Sequence, residues 1–367
     1  MLHVDTAADW RGGQAQIAAL LDGLAARGHP QWLAAPEGPL SAHARERGIA
    51  THGFAPLGDL DLPAALRLAG FAARIAPQVV HLHSARAHAT GWWAARRARA
   101  VCVVARRVDF PVGRHALSAI KYRLPVEAYV CVSRGIAEVL AQAGIAQQRV
   151  RVIHSGIAVE SVAGAVERAR AEGRDARMRA MLGVPAKAPL VGMIAALAPH
   201  KDHATFLAAA HATLERHPET WFVCAGDGPL RDAVRARVRG LGLEERVRLP
   251  GFVEDVPALL AALDVFVLSS YLEGLGTSVL DAQAAGVPVV ATRVGGIPEM
   301  IESGVTGLLV PPRDPEALAA AIAEALSDRA AAALRAQAAR TSVLAFDVRR
   351  TVERTEALYR ELLGARA

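Results

Sequence analysis

The stretch Asp264 to Ile301, DVFVLSSYLEGLGTSVLDAQAAGVPVVATRVGGIPEMI, decides the fold. Asp264-Val265-Phe266-Val267-Leu268 is a short apolar run closed by Ser269 and Ser270, and Val287 to Ala291 repeats the pattern. Two such runs with a helix between them read as buried strands of a parallel sheet. The helix is expected to start near Gly276-Thr277-Ser278, where a hydroxyl can cap free N–H groups, and to stop at Gly286 ahead of Pro288. The loop before it then lies at the carboxyl edge of the sheet, where open α/β folds bind ligands.

The first amides of a helix have no intrahelical partner, so this loop suits an anion such as a phosphate. Glu273 precedes those amides, and a carboxylate so near a phosphate needs a neutral or positive group between them. A sugar ring serves. Its hydroxyls can donate to Glu273 while the phosphate sits on the amides of Gly276, Thr277 and Ser278. Asp281, four residues after Thr277, shares its helix face one turn deeper, within reach of a ribose diol. Together these groups read as a nucleotide-sugar site. The plainer readings are a solvated loop acid at 273 and, at 281, a carboxylate that complements the helix dipole.

Glu273-Gly274-Leu275-Gly276, with an acid eight residues after the Glu, resembles the acidic motif of glycosyltransferase family 4, retaining enzymes with a GT-B fold. The resemblance implies an α/β protein of two Rossmann-like, doubly wound parallel-sheet domains facing across a cleft. It implies that Glu273 and the amides from Gly274 and Leu275 onward hold the donor sugar and its phosphate, and that the second acid holds the ribose. That acid is Asp281 here, one methylene shorter than the family's Glu.

A chain of 367 residues exceeds what one core usually covers. Residues 1–165 are expected to form the acceptor-side domain and 166–345 the donor domain, because the strand pattern stops from about Glu160 to Pro185 and then restarts. In the GT-B fold a terminal helix, here 346–367, crosses back to the first domain. The composition, 52% hydrophobic and 21% charged, is that of an ordinary soluble chain. No basic-plus-apolar signal opens the sequence, and no apolar run approaches the roughly 20 residues that span a bilayer, so a cytoplasmic location is expected. Cys102, Cys131 and Cys224 are far apart in apolar runs and read as buried thiols.

Residues 1–160 carry 18 Lys+Arg against 11 Asp+Glu, a net of +7, whereas the rest of the chain is near neutral. A basic patch attracts nucleic acid, anionic lipid or acidic saccharide, or is simply a solvated surface. Nucleic acid is the weakest of these, since only 5% of residues are aromatic and no recognition motif is present. The basic first half, taken with the family resemblance, implies an anionic membrane surface at the inner face of the plasma membrane, contacted peripherally, as an expected partner, and a plain solvated surface stays open beside it.

In the first half, strand Leu2–Asp5 leads through a loop, Arg11-Gly12-Gly13, to a helix from Gln14, and a glycine pair opening that helix lets backbone approach a diphosphate or an acceptor and also serves plain turn geometry. No G-x-G-x-x-G follows, which disfavours a nicotinamide oxidoreductase. Asp59-Leu60-Asp61 has the form of a metal-binding D-x-D, but Pro63 and the periodic helix after it make Asp61 an N-cap. No other His, Asp and Glu cluster has ligand spacing, so chemistry without a divalent metal or other cofactor is expected. His81 and His83 share a strand face at period two. The pair is similar to the family's H-x-H segment, which implies that His83 contacts the donor sugar. A hydrogen-bonded structural histidine is the alternative. Arg107, Asp109 and Ser133 fall in loops near the expected cleft and are candidates to meet the acceptor.

In the second half Lys201 stands in a loop after strand 190–197 and can neutralise phosphate as a point charge. It resembles the family lysine that steadies the leaving diphosphate. The family arginine five residues earlier is Ala196 here, and Arg231, beyond Gly226-Asp227-Gly228, or a protonated His200 could replace it. Gly228, Phe252 and Val253 resemble segments that border the nucleotide base. The expected function is retaining, metal-independent transfer of a sugar from a nucleoside-diphosphate sugar to a saccharide or lipid-linked acceptor in envelope polysaccharide or lipopolysaccharide synthesis. A sugar-nucleotide epimerase of the same fold and an inactive nucleotide-sugar-binding module stay open as alternatives.

Overall fold

The strand order explains where the candidate residues sit. In the computed structural model, which describes residues 1–108, 110, 112 and 120–366, the chain divides into two units, Met1–Gly156 with Val348–Ala367 and Ile157–Asp347. The first contains β1 (Leu2–Val4), β2 (Trp32–Ala35), β3 (Ala50–Gly53), β4 (Val79–Leu82), β5 (Val101–Arg106), β6 (Ala128–Cys131) and β7 (Val150–Val152). They pair in parallel in the order β3-β2-β1-β4-β5-β6-β7. β4, β5 and β6 are buried along their whole length, as strands covered on both faces must be, and this is why they read as unbroken apolar runs.

The second unit repeats the plan with β8 (Leu190–Ile194), β9 (Trp221–Ala225), β10 (Val247–Gly251), β11 (Val265–Leu268), β12 (Val289–Thr292) and β13 (Leu308–Val310), ordered β10-β9-β8-β11-β12-β13 and again parallel. Strand succession reverses between β1 and β4 and between β8 and β11. A crevice opens outside the carboxyl ends of strands at such a reversal. Gly12 and Gly13 follow β1, His83 follows β4, Lys201 follows β8 and Glu273 follows β11.

The last helix, Val348–Gly364, belongs to the first unit. Its Val352, Leu358 and Tyr359 join Leu20, Leu24 and Val101 in one apolar cluster, and its buried Glu356 pairs with Arg27 Nε and His29 Nε2, each at 2.6 Å. The first boundary falls at Gly156/Ile157, nine residues before the expected 165/166. The physical reason is the helix Val159–Ala171, which packs on helices Val256–Ala262 and Thr277–Ala284 of the second unit. Asp61 caps the helix Leu62–Ile75 by accepting from Ala64 N–H at 3.0 Å, with Pro63 in the first turn. The three cysteines are free and buried. Among the described residues no helix is long and apolar enough to cross a membrane.

Candidate functional site

In the second unit the helix Thr277–Ala284 begins at Gly276, whose φ of 86° is the left-handed conformation that favours glycine. No side chain caps this helix, contrary to the hydroxyl cap expected from Thr277 or Ser278. The hydroxyls stay part-exposed and the Thr277 and Ser278 amides point out of an uncapped helix start. Gly274 and Leu275 are buried beneath that turn. A Cβ on Gly276 would stand 3.2 Å from Glu273 Cγ, so the glycine brings this carboxylate against the helix start. Gly295 closes the other side, where a Cβ would fall 1.7 Å from the Glu273 carbonyl oxygen.

Glu273 accepts from Lys201 Nζ at 2.5 Å and from Ser270 Oγ at 3.1 Å. Both charged side chains are largely shielded, 15% and 12% exposed for Lys201 and Glu273. Sequence reasoning placed each in a separate ligand contact; the structure joins them. Ser269 Oγ donates to the carbonyls of Lys201 and Asp202, each at 3.0 Å, which ties the end of β11 to the Lys201 loop. Asp281 lies one turn in, part-buried, and burial pushes its carboxyl up to about 7.

The loop before Arg231 is laced to the loop that holds Ala196. Leu197 N–H donates to the Asp227 carbonyl and Leu230 N–H to the Leu197 carbonyl, both at 3.0 Å. Arg231 therefore sits beside the position of the absent arginine, half-exposed, with Asp227 Oδ2 3.5 Å away. Gly228 lies within that lacing. Phe252 is 70% exposed after β10 and Val253 is part-buried, so an aromatic face is available where only backbone contacts were expected. One further cation escaped the sequence reading. Arg313, at φ 60°, lies over the Tyr271 ring at 4.2 Å, and Tyr271 N–H donates to the His200 carbonyl beside Lys201.

In the first unit His83 is buried and its ring is fixed on several sides. Arg107 donates to its carbonyl at 3.1 Å and to its Nδ1 at 3.3 Å. Nδ1 thus accepts, so Nε2 carries the proton and donates to His3 Nδ1 at 3.0 Å. His81 packs on His83 with ring centroids 4.0 Å apart, and its own Nδ1 meets Tyr359 Oη at 2.5 Å. His3 joins because β1 and β4 pair His3 opposite His81. Burial, more than the neighbouring charge of Arg107, holds His81 and His83 well below the usual imidazole range and takes His3 to about 3. All three are neutral imidazoles at neutral pH.

His3, His81 and His83 also form a cluster with metal-ligand proximity, their ligand atoms within 4.8 Å of one another. Spacing along the chain hid it, since His3 arrives from another strand. The donor set fits a metal poorly: one nitrogen of His3, one of His81 and both of His83 are held in hydrogen bonds, and Arg107 adds a positive charge beside them. A donor contact by either nitrogen of His83 requires exchange of one such bond.

Gly12 and Gly13 are the first residues of the helix Gly12–Ala26 rather than a loop before it, and the Arg11 cap contributes no side-chain hydrogen bond. Their amides are thus free helix-start donors. Ser133 is fully buried and caps the helix Arg134–Gln142 by accepting from Ile136 N–H at 3.2 Å, a structural duty in place of the acceptor contact expected of it. Asp109 lies outside the described residues.

Residues 10–161 match the profile described as Glycosyltransferase Family 4, and residues 175–342 match that of Glycosyl transferases group 1. The 2-deoxystreptamine N-acetyl-D-glucosaminyltransferase of Streptomyces fradiae is 38% identical over 151 residues, 40% of this chain and 36% of that protein. The lipopolysaccharide core biosynthesis glycosyltransferase LpsE of Rhizobium meliloti is 32% identical over 225 residues, 61% of this chain and 59% of that protein. The matches thus span about half the length of these curated relatives. Among solved structures, Anabaena Alr3699/HepE in complex with UDP-glucose superposes with a TM-score of 0.83 at 23% identity, covering 97% of this chain and 98% of that one. The two doubly wound sheets have the GT-B fold, and the chain belongs to the family 4, group 1 glycosyltransferases.

Proposed function

We propose that the protein is a retaining, metal-independent glycosyltransferase that moves a sugar from a nucleoside-diphosphate sugar to a saccharide or lipid-linked acceptor in envelope polysaccharide or lipopolysaccharide synthesis. The observation that carries this reading is the Lys201–Glu273 pair at 2.5 Å beside an uncapped helix start. Breaking the sugar–phosphate bond builds negative charge on the diphosphate, and preorganised donors aimed at that charge are the usual means of lowering such a barrier. In the proposed reaction Lys201 turns from Glu273 to the diphosphate, whose oxygens also accept from the Thr277 and Ser278 amides. Glu273 then accepts from hydroxyls of the donor sugar.

Arg231 supplies a second cation near Ala196. Phe252 offers a face to the base, and Asp281 contacts the ribose. Gly12 and Gly13 present amides to the substrates, and Arg107 orients His83. The acceptor hydroxyl attacks from the leaving-group side. Its oxygen bonds to the anomeric carbon as the carbon–phosphate oxygen bond breaks, and the proton passes to an oxygen of the departing diphosphate, giving retention. The lipopolysaccharide relative and the UDP-glucose complex support the acceptor class and make UDP-sugars the first donors to try.

The test is nucleoside-diphosphate release from a panel of UDP-, GDP- and ADP-sugars, with and without chelator, for wild type and Glu273→Ala. Chelator-resistant release from one donor, lost in the variant, is expected. Release that needs a divalent ion, or that survives in Glu273→Ala, overturns the corresponding part of the reading. Conversion of the donor to an isomer without acceptor would make the protein an epimerase.

A further inference from the structure

The geometry points to a binding site for a soluble phosphomonoester at the amino edge of the second sheet, opposite the edge that bears Lys201 and Glu273. The inference goes beyond the function above and does not depend on it. A cavity of about 480 Å³ opens there, inside the range of about 300–1,000 Å³ usual for small-molecule sites. Asp264 and Pro288, which immediately precede β11 and β12, mark the edge. Ala325 and Leu326, at the end of the helix Pro315–Ser327, and Ala332 and Ala336, on the helix Arg329–Ser342, give the cavity an apolar wall. Against that wall stand Arg170, Arg329 and Arg340, and Gln337 adds an uncharged amide. The helix Thr277–Ala284 separates the cavity from the donor loop: Ala285 and Gly286, just past its end, line the cavity, while its Thr277 and Ser278 amides lie about 12 Å away at the other end.

Charge selects the ligand. Arg170 Nη2 donates to the Ala285 carbonyl at 3.5 Å, and a Cβ on the next residue, Gly286, would stand 3.1 Å from Arg340 Cδ, so two arginine side chains meet at consecutive residues. The acids nearby are committed. Asp264 pairs with Arg179 at 2.8 Å and accepts from the Leu190 amide at 2.8 Å, Glu167 pairs with Arg340 at 2.9 Å, and Glu324 pairs with Arg335 at 3.0 Å. Arg170 and Arg329 make no ion pair among the described residues. The dipole of the helix Thr277–Ala284 accounts for a cation at its carboxyl end, where Arg170 sits, but Arg329 is the first residue of its own helix, where the dipole disfavours one. Asp328, beside it, is spent on the Ala331 amide at 2.9 Å. Two uncancelled arginines match a phosphomonoester, which carries about −1.5 to −2 charges at pH 7; a carboxylate answers only one of them. The planar guanidinium forks take the phosphate oxygens. Gln337 meets hydroxyls of the ester's body, whose carbon face covers the alanine and leucine wall that a bare phosphate would leave open.

The experiment is calorimetric titration of the full chain with glucose 6-phosphate, glycerol 3-phosphate and adenosine monophosphate, beside inorganic phosphate and glucose. At least one ester is expected to bind about tenfold or more tightly than inorganic phosphate, with no heat from glucose. Arg170→Gln combined with Arg329→Gln should weaken that binding at least tenfold, whereas Lys201→Ala, at the donor site, should leave it unchanged. Ala333→Cys supplies a local readout: Ala333 lines the cavity and is exposed while the native cysteines are buried, so the bound ester should slow alkylation of the new thiol. Both arginines are exposed and their loss should not disturb folding. Nucleoside-diphosphate release should be unchanged in the double variant, which separates a failed second site from a failed donor site. The proposal is overturned if no ester binds, if inorganic phosphate binds as tightly as every ester, if Lys201→Ala and not the double variant loses binding, or if the bound ester leaves alkylation unaffected.

Discussion

In the first unit the candidate His83 lies among neutral rings packed and hydrogen-bonded out of water, whereas in the second Glu273 and Lys201 face each other as charges 2.5 Å apart. Burial strips protons from the first group and keeps it uncharged. In the second, the Lys201–Glu273 pair lies beside a free helix start, which suits a ligand that brings its own negative charge. In the function proposed above, this difference divides the labour: the first unit orients His83, and the second stabilises developing charge.

The most direct way to break this comparison is to remove the charges. Lys201→Ala should lower kcat by about 10²–10³, the scale found for loss of one preorganised donor to developing charge; Glu273→Ala, which removes the acceptor of the sugar hydroxyls, should lower it by a comparable factor, and both should leave Tm within a few degrees. Because the residues contact each other, the double variant should lose much less than the product of the two. Full additivity, measured by single-turnover release, would mean that the pair does not act as a unit.

The next test stays in the first unit. Arg107→Met removes the donor to both the carbonyl and Nδ1 of His83 and frees the ring tautomer. A fall in kcat of about tenfold is expected, with little change in KM. Tyr359→Phe instead leaves buried His81 Nδ1 without a partner, a loss of about 1–3 kcal/mol in stability with kcat within a few-fold. If Tyr359→Phe costs more activity than Arg107→Met, the ring of His83 is positioned through His81 and not by the guanidinium.

The two units should also answer pH differently. A histidine held neutral by burial gives its full stability above the unfolded value of 6.5, and loses it as pH falls and the unfolded chain takes up protons. His3, His81, His83 and His88 all behave so in the first unit, against His203 in the second. A carboxyl raised by burial has the reverse sign: Asp281 contributes fully below 3.8 and its contribution is lost as pH rises toward about 7. Amide hydrogen exchange followed separately in the two units should show the first weakening between pH 6.5 and 5. Asp281→Asn should flatten the decline of the second between pH 4 and 7 by a few degrees in Tm. Equal acid sensitivity of both units would contradict the assignment.

Much of this was legible in the residues. Unbroken apolar runs ending at Ser269 or His83 gave the strands, and the helix signals at Gly276, Gly286, Asp61 and Pro63 gave the loops where candidate residues gather. What stayed hidden depends on pairing between distant segments. His3 meets His83 only through the register of β1 on β4, Lys201 meets Glu273 only because β8 and β11 are neighbours, and Arg313 reaches Tyr271 from beyond β13. The domain junction was misplaced because Val159–Ala171 is charged and Ala-rich in sequence, and only its packing partners reveal its unit.

Ser133 gives the smallest and most discriminating effect. Its place after β6, on the loop side of the sheet, made it a candidate for the acceptor, yet the hydroxyl faces a helix start and is fully buried. A capping serine exchanged for alanine loses about 1 kcal/mol of stability, because the Ile136 amide keeps its need for an acceptor and water cannot reach it. Ser133→Ala should therefore lower Tm by about 2–4 °C and leave kcat/KM for the acceptor unchanged at a temperature where the chain is folded. Ser133→Asn, a comparable cap, should regain part of that Tm only if the pocket admits its extra volume. A tenfold fall in kcat/KM with Tm intact would reverse the assignment and return Ser133 to the acceptor, extending the first unit's role from orienting His83 to touching the substrate.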